Sequence, residues 1–286
     1  MNEIAVFFLH GLAYAGLLFL VSSGLTLVFG MMNVLNFAHA SFYMLGAYFA
    51  YSLLQIIGNF WLALLVSPLL LLIIGAVVER FLLRKVHVLG HVHELLLTFG
   101  LAYIIHEAVK WVWGTDPHAL AVSGFLAGTV NIIGITYPVY RLFVFGVSVA
   151  LGLFMWLVLF KTKIGIIVRA AVEDSSMVAA LGIKVPMVFM GVFAVGAALS
   201  GLAGVTAGPL MSVDPGMAGA ILVDAFVVIV VGGMGSLGGA VMASVIIGEL
   251  QSFGVLLFPK FSLALIYMLM AVVLVIRPEG LFGEKQ

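Results

Sequence analysis

Between Glu3 and Glu79 the chain runs for 75 residues without one Asp, Glu, Lys or Arg. That stretch exceeds three bilayer crossings at about 20 apolar residues each. The rest follows the same bias: 64% of the 286 residues are hydrophobic and 8% are charged, against about 25% charged in an ordinary soluble domain. Twelve basic and twelve acidic residues cancel, so no polybasic field is present to attract nucleic acid. The absence of cysteine excludes disulfides, thiolate metal sites and a Cys nucleophile. An all-α polytopic integral membrane protein is expected, with residues 1–286 forming a single transmembrane domain.

The N-terminus lacks the positive region and small-residue cleavage site of a signal peptide, so its apolar stretch is read as a retained membrane helix. Nine apolar segments are predicted, at residues 4–29, 38–57, 60–78, 95–113, 137–160, 188–208, 216–231, 238–257 and 261–276. The two that flank the glycine-rich stretch 232–239 are expected to be short, and the count falls to eight if one of them is re-entrant. Basic residues in short loops mark the cytoplasmic side. Arg80, Arg84 and Lys85 fall in one loop, Lys161, Lys163, Arg169 and Lys184 in another, and Arg277 and Lys285 in the tail. With nine crossings all three groups lie on one side, the N-terminus outside and the C-terminus in the cytoplasm.

Polar residues interrupt the second apolar block at Asn33, Asn36, His39 and Ser41. Unpaired amides and imidazoles are expensive in hydrocarbon, so these side chains are expected to face protein or a cavity, with Asn36 and His39 on one face of a helix. A second break, rich in glycine, contains Gly232, Gly233 and Gly235. An offset of 202 aligns Gly30 with Gly232, Met32 with Met234, Leu35 with Leu237, Ala38 with Ala240 and Gly46 with Gly248. Paired, glycine-interrupted segments in two halves point to pseudo-symmetric broken helices bordering a transport path. Close helix packing through small residues is the other reading.

The loop 161–186 is amphipathic, with Ile167, Ala171, Val178 and Leu181 on one stripe and Arg169, Glu173 and Ser176 elsewhere. Gly182 supplies a helix stop after Leu181. Such a helix suits a groove on another protein or the lipid headgroups. His87 and His91 are spaced for a metal in a helix, with Glu94 the only carboxylate nearby and Gly90 between them; a wet loop with incidental histidines is the plainer reading. An intramembrane Ser/His protease is set aside because no Gly-x-Ser-x-Gly elbow is present. Glu107 and Lys110 read as a helical ion pair. Asp224 and Glu249 lie inside predicted spans, where ionisable residues are functional candidates; Asp224 borders either the path or the outer interface.

Several ordered stretches resemble the smaller, H-type permease subunits of bacterial branched-chain amino-acid ABC transporters. They are Gly24-Leu25-Thr26-Leu27-Val28-Phe29-Gly30 with Asn36-Phe37-Ala38-His39, then Arg169-Ala170-Ala171-Val172-Glu173-Asp174 with Ala180-Leu181-Gly182-Ile183, then Asp224-Ala225-Phe226-Val227 with Gly232-Gly233-Met234-Gly235-Ser236, and the tail from Arg277 to Gly283. The resemblance implies a non-enzymatic transport subunit of the bacterial inner membrane. The implied path residues are Asn36, Phe37, His39, Ser41, Asp224, Gly232, Gly233 and Gly235. Arg169, Glu173, Asp174, Leu181 and Gly182 would seat on an ATPase. Implied partners are a homologous permease in a heterodimer, two ATP-binding subunits carrying ATP and magnesium, an external solute-binding protein and membrane lipid. The chain itself has no phosphate-loop motif and no cofactor is expected on it. Many family members carry Lys where Asp224 stands, and the family also moves urea, short amides and organic acids, so branched-chain amino acids are the default solute. A self-sufficient carrier using a proton or ion gradient through His39 or Asp224 is the alternative.

Overall fold

The computed structural model describes residues 2–122, 124–132 and 134–283; Lys285, counted above in the basic tail, lies outside them. Among the described residues twelve α-helices follow one another: α1 Asn2–Met32, α2 His39–Ile57, α3 Phe60–Val78, α4 Arg84–His87, α5 His91–Trp113, α6 Val139–Lys161, α7 Lys163–Glu173, α8 Ser175–Ala180, α9 Val185–Ala207, α10 Met217–Gly232, α11 Leu237–Leu257 and α12 Ser262–Ile276. A π-helical segment, Glu79–Leu83, joins α3 to α4. Between α5 and α6 lies a short hairpin, β1 Thr129–Ile132 paired antiparallel with β2 Ile135–Pro138.

Among the described residues, seven helical stretches are long and apolar enough to cross a membrane; α10 and α12 are apolar but shorter. The two segments beside the glycine break were both expected to be short. Only α10, with 16 residues, is short. Helix α11 runs 21 residues, and Ser236 caps its start, its Oγ accepting from the Gly239 amide at 3.1 Å. Gly238 and Gly239 therefore begin a helix and do not prolong the break.

Helix α1 is apolar around its whole circumference, as a span that meets protein or lipid on every side can be. Leu17, Leu18, Leu20, Val21 and Leu25 are fully enclosed by α6, α9, α10 and α11. Small residues bring the backbones together. A Cβ at Gly24 would meet the Gly196 carbonyl oxygen of α9 at 2.6 Å, and one at Gly248 would meet the Gly11 oxygen at 2.6 Å. Helix α2 sits on α9 even more closely, since a Cβ at Gly204 would lie 1.9 Å from the Tyr43 oxygen. Helices α5 and α6 are peripheral, with much of their apolar surface uncovered by this chain.

The three basic segments meet on one face. Arg84 pairs with the buried carboxylate of Glu79 and donates to the Pro186 oxygen at 2.8 Å, tying the end of α3 to the start of α9. On that same face the tail approaches α7 across a cleft described below.

Candidate functional site at the basic face

Helix α7 begins at Thr162, whose hydroxyl accepts from the Gly165 amide at 3.2 Å. The amphipathic loop is two helices and not one: the chain turns at Asp174, whose carboxylate accepts from the Ser176 and Met177 amides, each at 2.9 Å. Those bonds, with the Ser176 hydroxyl foremost, hold the Asp174 carboxyl below the usual carboxylate range. Ala171 and Val178 are buried in a small cluster with Val185, as the predicted stripe requires. Leu181 departs from it. The turn at Asp174 rotates α8 relative to α7, so Leu181 is 73% exposed and stands beside Met177 at 59%. Gly182 ends the element with φ +84°, its amide bonded to the Ala179 oxygen. Glu173 and Arg169 are exposed.

Both breaks are connections between successive helices. The offset of 202 does not carry one helix end onto the other: the ends before the breaks, Met32 and Gly232, differ by 200, and the starts after them, His39 and Leu237, by 198. The second break nevertheless touches the end of α1, because a Cβ at Gly30 would meet the Gly235 Cα at 2.9 Å. In the first break Asn33 has φ +52°. Asn36 precedes α2 and is not helical; its side-chain oxygen accepts from the Ala38 amide at 3.1 Å, so it and His39 do not share a helix face. His39 is 1% exposed, bonded through Nε2 to the Val21 oxygen at 2.9 Å, while Nδ1 has no partner. Ser41 is buried with its hydroxyl 3.4 Å from the Ala102 oxygen. Phe37 is partly exposed and packs between Phe99 and Phe226, at 6.3 and 5.5 Å between ring centroids.

In the second break the sequence reading missed a partner. The Leu281 and Phe282 amides donate to the Val231 and Gly232 oxygens, at 2.9 and 3.0 Å, so the tail satisfies carbonyls that the end of α10 leaves free. Gly233, with φ +101°, abuts this tail; a Cβ there would meet the Gly283 nitrogen at 2.4 Å. The repeated glycines at 280 and 283 were the only signal in the sequence, and nothing in their spacing names α10 as their partner.

A cleft of about 980 Å³ opens between α1, α6, α7, the second break and the tail. It brings Arg169 and Glu173 together with Gly235 and Phe282. Asn36, His39 and Asp224 do not line it. Asp224, partly exposed on α10, accepts from the Tyr14 hydroxyl at 2.8 Å. Glu249 of α11 lies against Gly11, both carboxylate oxygens buried and without a hydrogen-bond partner. Glu94, buried at the start of α5, takes His87 and His91 together; among the described residues no three His, Asp or Glu side chains are arranged to hold a metal. Glu107 and Lys110 form their ion pair at 2.5 Å.

The family described as the branched-chain amino acid transport system permease component matches residues 7–274. The chain is 25% identical to the high-affinity branched-chain amino acid transport system permease protein BraD of Pseudomonas aeruginosa, over 97% of this chain and 95% of that one. It is 25% identical to LivH of Escherichia coli, covering 100% and 99%, and 26% identical to a probable LivH of Methanocaldococcus jannaschii, covering 94% and 90%. No solved structure matches.

Proposed function

The chain belongs to the permease components of branched-chain amino acid transport systems, and from that membership we propose that it forms half of the membrane conduit of an ABC importer. The observation that carries the reading is the family match over nearly the full length. The exposed α7–α8 element supports it: a short turn of two helices, held to α9 by a small apolar cluster and presenting Leu181 and Met177 outward, is shaped to be pushed by another protein. In this reading Arg169, Glu173, Asp174, Leu181 and Gly182 form the surface against an ATPase subunit, which supplies ATP and magnesium. The basic face is cytoplasmic, the N-terminus lies outside, and the membrane is the bacterial inner membrane. A homologous permease completes the path and a soluble binding protein delivers solute from outside. Asp224 and Phe37, both partly exposed, border the path. Asn36, His39, Ser41, Gly232, Gly233 and Gly235 shape the helix ends around it.

The solute assigned is a branched-chain amino acid, with short amides, urea and organic acids as the competitors to measure. Liposomes carrying this chain with its partner permease, ATPase pair and binding protein are expected to accumulate leucine only with ATP inside. Accumulation by this chain alone, on an ion gradient and without ATP, would make it a self-sufficient carrier. Glu173→Lys is the sharper test. Glu173 is exposed and makes no ion pair among the described residues, so its reversal should change stability by no more than about 0.5 kcal/mol. Uptake and solute-stimulated ATP hydrolysis should both fall while the amount of folded chain stays level; wild-type uptake by the variant would remove Glu173 from the contact.

A further inference from the structure

The cleft on the basic face has features that half of a transport path does not require. Its walls are apolar and aromatic, with Met155, Trp156, Leu159 and Phe160 on α6 and Val241 on α11. Arg169 lines it, and Lys161 stands over its Trp156. The Arg169 guanidinium lies 4.9 Å from the centroid of Phe160, and the Lys161 ammonium 5.5 Å from that of Trp156; Lys163 is adjacent in sequence. Among the described residues none of these three cations makes an ion pair with a carboxylate. Glu173, one turn beyond Arg169, is the acidic residue on the cleft wall, so the charges of the lining cancel, and the positive excess comes from Lys161, which stands over the lining residue Trp156.

A second, independent observation lies deeper. Thr26 lines the cleft, is 2% exposed, and its hydroxyl has no hydrogen-bond partner. Its neighbours on the same helix behave differently: Ser22 donates to the Leu18 oxygen at 2.7 Å and Ser23 to the Leu20 oxygen at 2.9 Å. A hydroxyl that forgoes such a bond in an apolar setting is left waiting for an acceptor. Thr26 stands six residues before the end of α1 at Met32, which is about 9 Å at helical rise.

We propose that this cleft binds one anionic phospholipid, its phosphate at Arg169 and Lys161, an ester carbonyl accepting from Thr26, and an acyl chain lying along Leu159 and Val241. The volume of about 980 Å³ accommodates the head group and the upper part of a chain, at the large end of known ligand sites. Charge complementarity selects the head group: basic pockets between membrane helices take anionic head groups, whereas a neutral lipid would leave Lys161 unanswered. The bound lipid would lie beneath α7.

The test uses the full-length chain in detergent, with thermal stability and retained phospholipid as readouts. Phosphatidylglycerol is expected to raise the midpoint of thermal unfolding, and phosphatidylcholine and inorganic phosphate are not. About one phosphatidylglycerol per chain should survive detergent exchange. In the double variant Lys161→Gln, Arg169→Gln the half-saturating lipid concentration should rise about twenty-five-fold, a factor of about five for each cation. Val241→Trp fills the cleft from an exposed position and should abolish retention while the chain still elutes as a single species. Equal stabilisation by phosphatidylcholine, or by phosphate alone, would overturn the assignment. So would unchanged retention in both variants, or loss of partner-permease assembly by Val241→Trp with lipid retention intact, which would make the cleft a protein interface.

Discussion

At His39 the ring nitrogen that faces the Val21 oxygen must carry the proton, because a carbonyl only accepts; Nδ1 is then a bare acceptor sealed in an apolar interior. The backbone at the same residue is also engaged, its oxygen accepting from the Ser200 hydroxyl at 2.6 Å. His39→Ala is therefore expected to lower the stability of the chain by about 2–4 kcal/mol through the cavity it leaves, read as a drop in the midpoint of thermal unfolding. A variant that unfolds like wild type but takes up a different set of solutes would return His39 to the path. Asp174 gives the opposite kind of residue, fully exposed yet structural. Asp174→Ala should speed hydrogen exchange at the Ser176 and Met177 amides, whereas Asp174→Asn, an equally good cap, should not. Because the folded carboxyl is held below its ordinary value, its contribution is complete above about pH 4 and is lost as the pH falls through the lowered value. Protection of those amides in the isolated chain should decline in acid and be flat from there to neutrality.

Helix ends, more than helix bodies, organise the elements. The end of α10 would leave carbonyls unpaired in the membrane, and the tail answers them with the Leu281 and Phe282 amides. Gly233 is the joint of that arrangement: its positive φ disfavours any side chain, and the Gly283 backbone occupies the space a Cβ would need. Gly233→Ala should cost at least about 1 kcal/mol from backbone conformation alone, and more from the displaced tail. The expected signature is faster exchange at Leu281 and Phe282, with uptake falling in step; fast exchange with normal uptake would make the tail a passive cap. Gly235 lies against Gly30 near the end of α1, so the same substitution there presses the second break against α1 and leaves the tail alone.

For the whole molecule, small residues decide how the helices assemble. Lipid tails are as apolar as leucine, so association rests on close packing and on hydrogen bonds such as Tyr140 to the Thr206 oxygen at 2.9 Å. The crossing of α2 and α9 is the tightest of these approaches. Gly204→Ala would place a methyl 1.9 Å from the Tyr43 oxygen, and since both atoms belong to helix backbones, neither can yield alone. The variant should lose folded protein outright, seen as aggregation on size exclusion. Gly100→Ala, where nothing lies within 4 Å of the added carbon, should fold as wild type.

The membrane character, the apolar segments and the grouping of basic residues were legible in the sequence, because hydropathy and charge add along a chain and need no knowledge of neighbours. The polar first break, the helix stop at Gly182 and the Ala171–Val178 part of the apolar stripe were legible for the same reason, being local patterns; the turn at Asp174 that splits the element in two and turns Leu181 outward was not read from the sequence. What the tertiary structure decided is who meets whom. Tyr14 finds Asp224 across 210 residues, Gly30 finds Gly235, and the tail finds the end of α10. A uniformly apolar helix carries no face that announces its partner, so only the packed bundle selects one. That is also why Asn36 and His39, both polar in one short break, lead to different places. One side chain turns back on its own backbone, and the other crosses to α1.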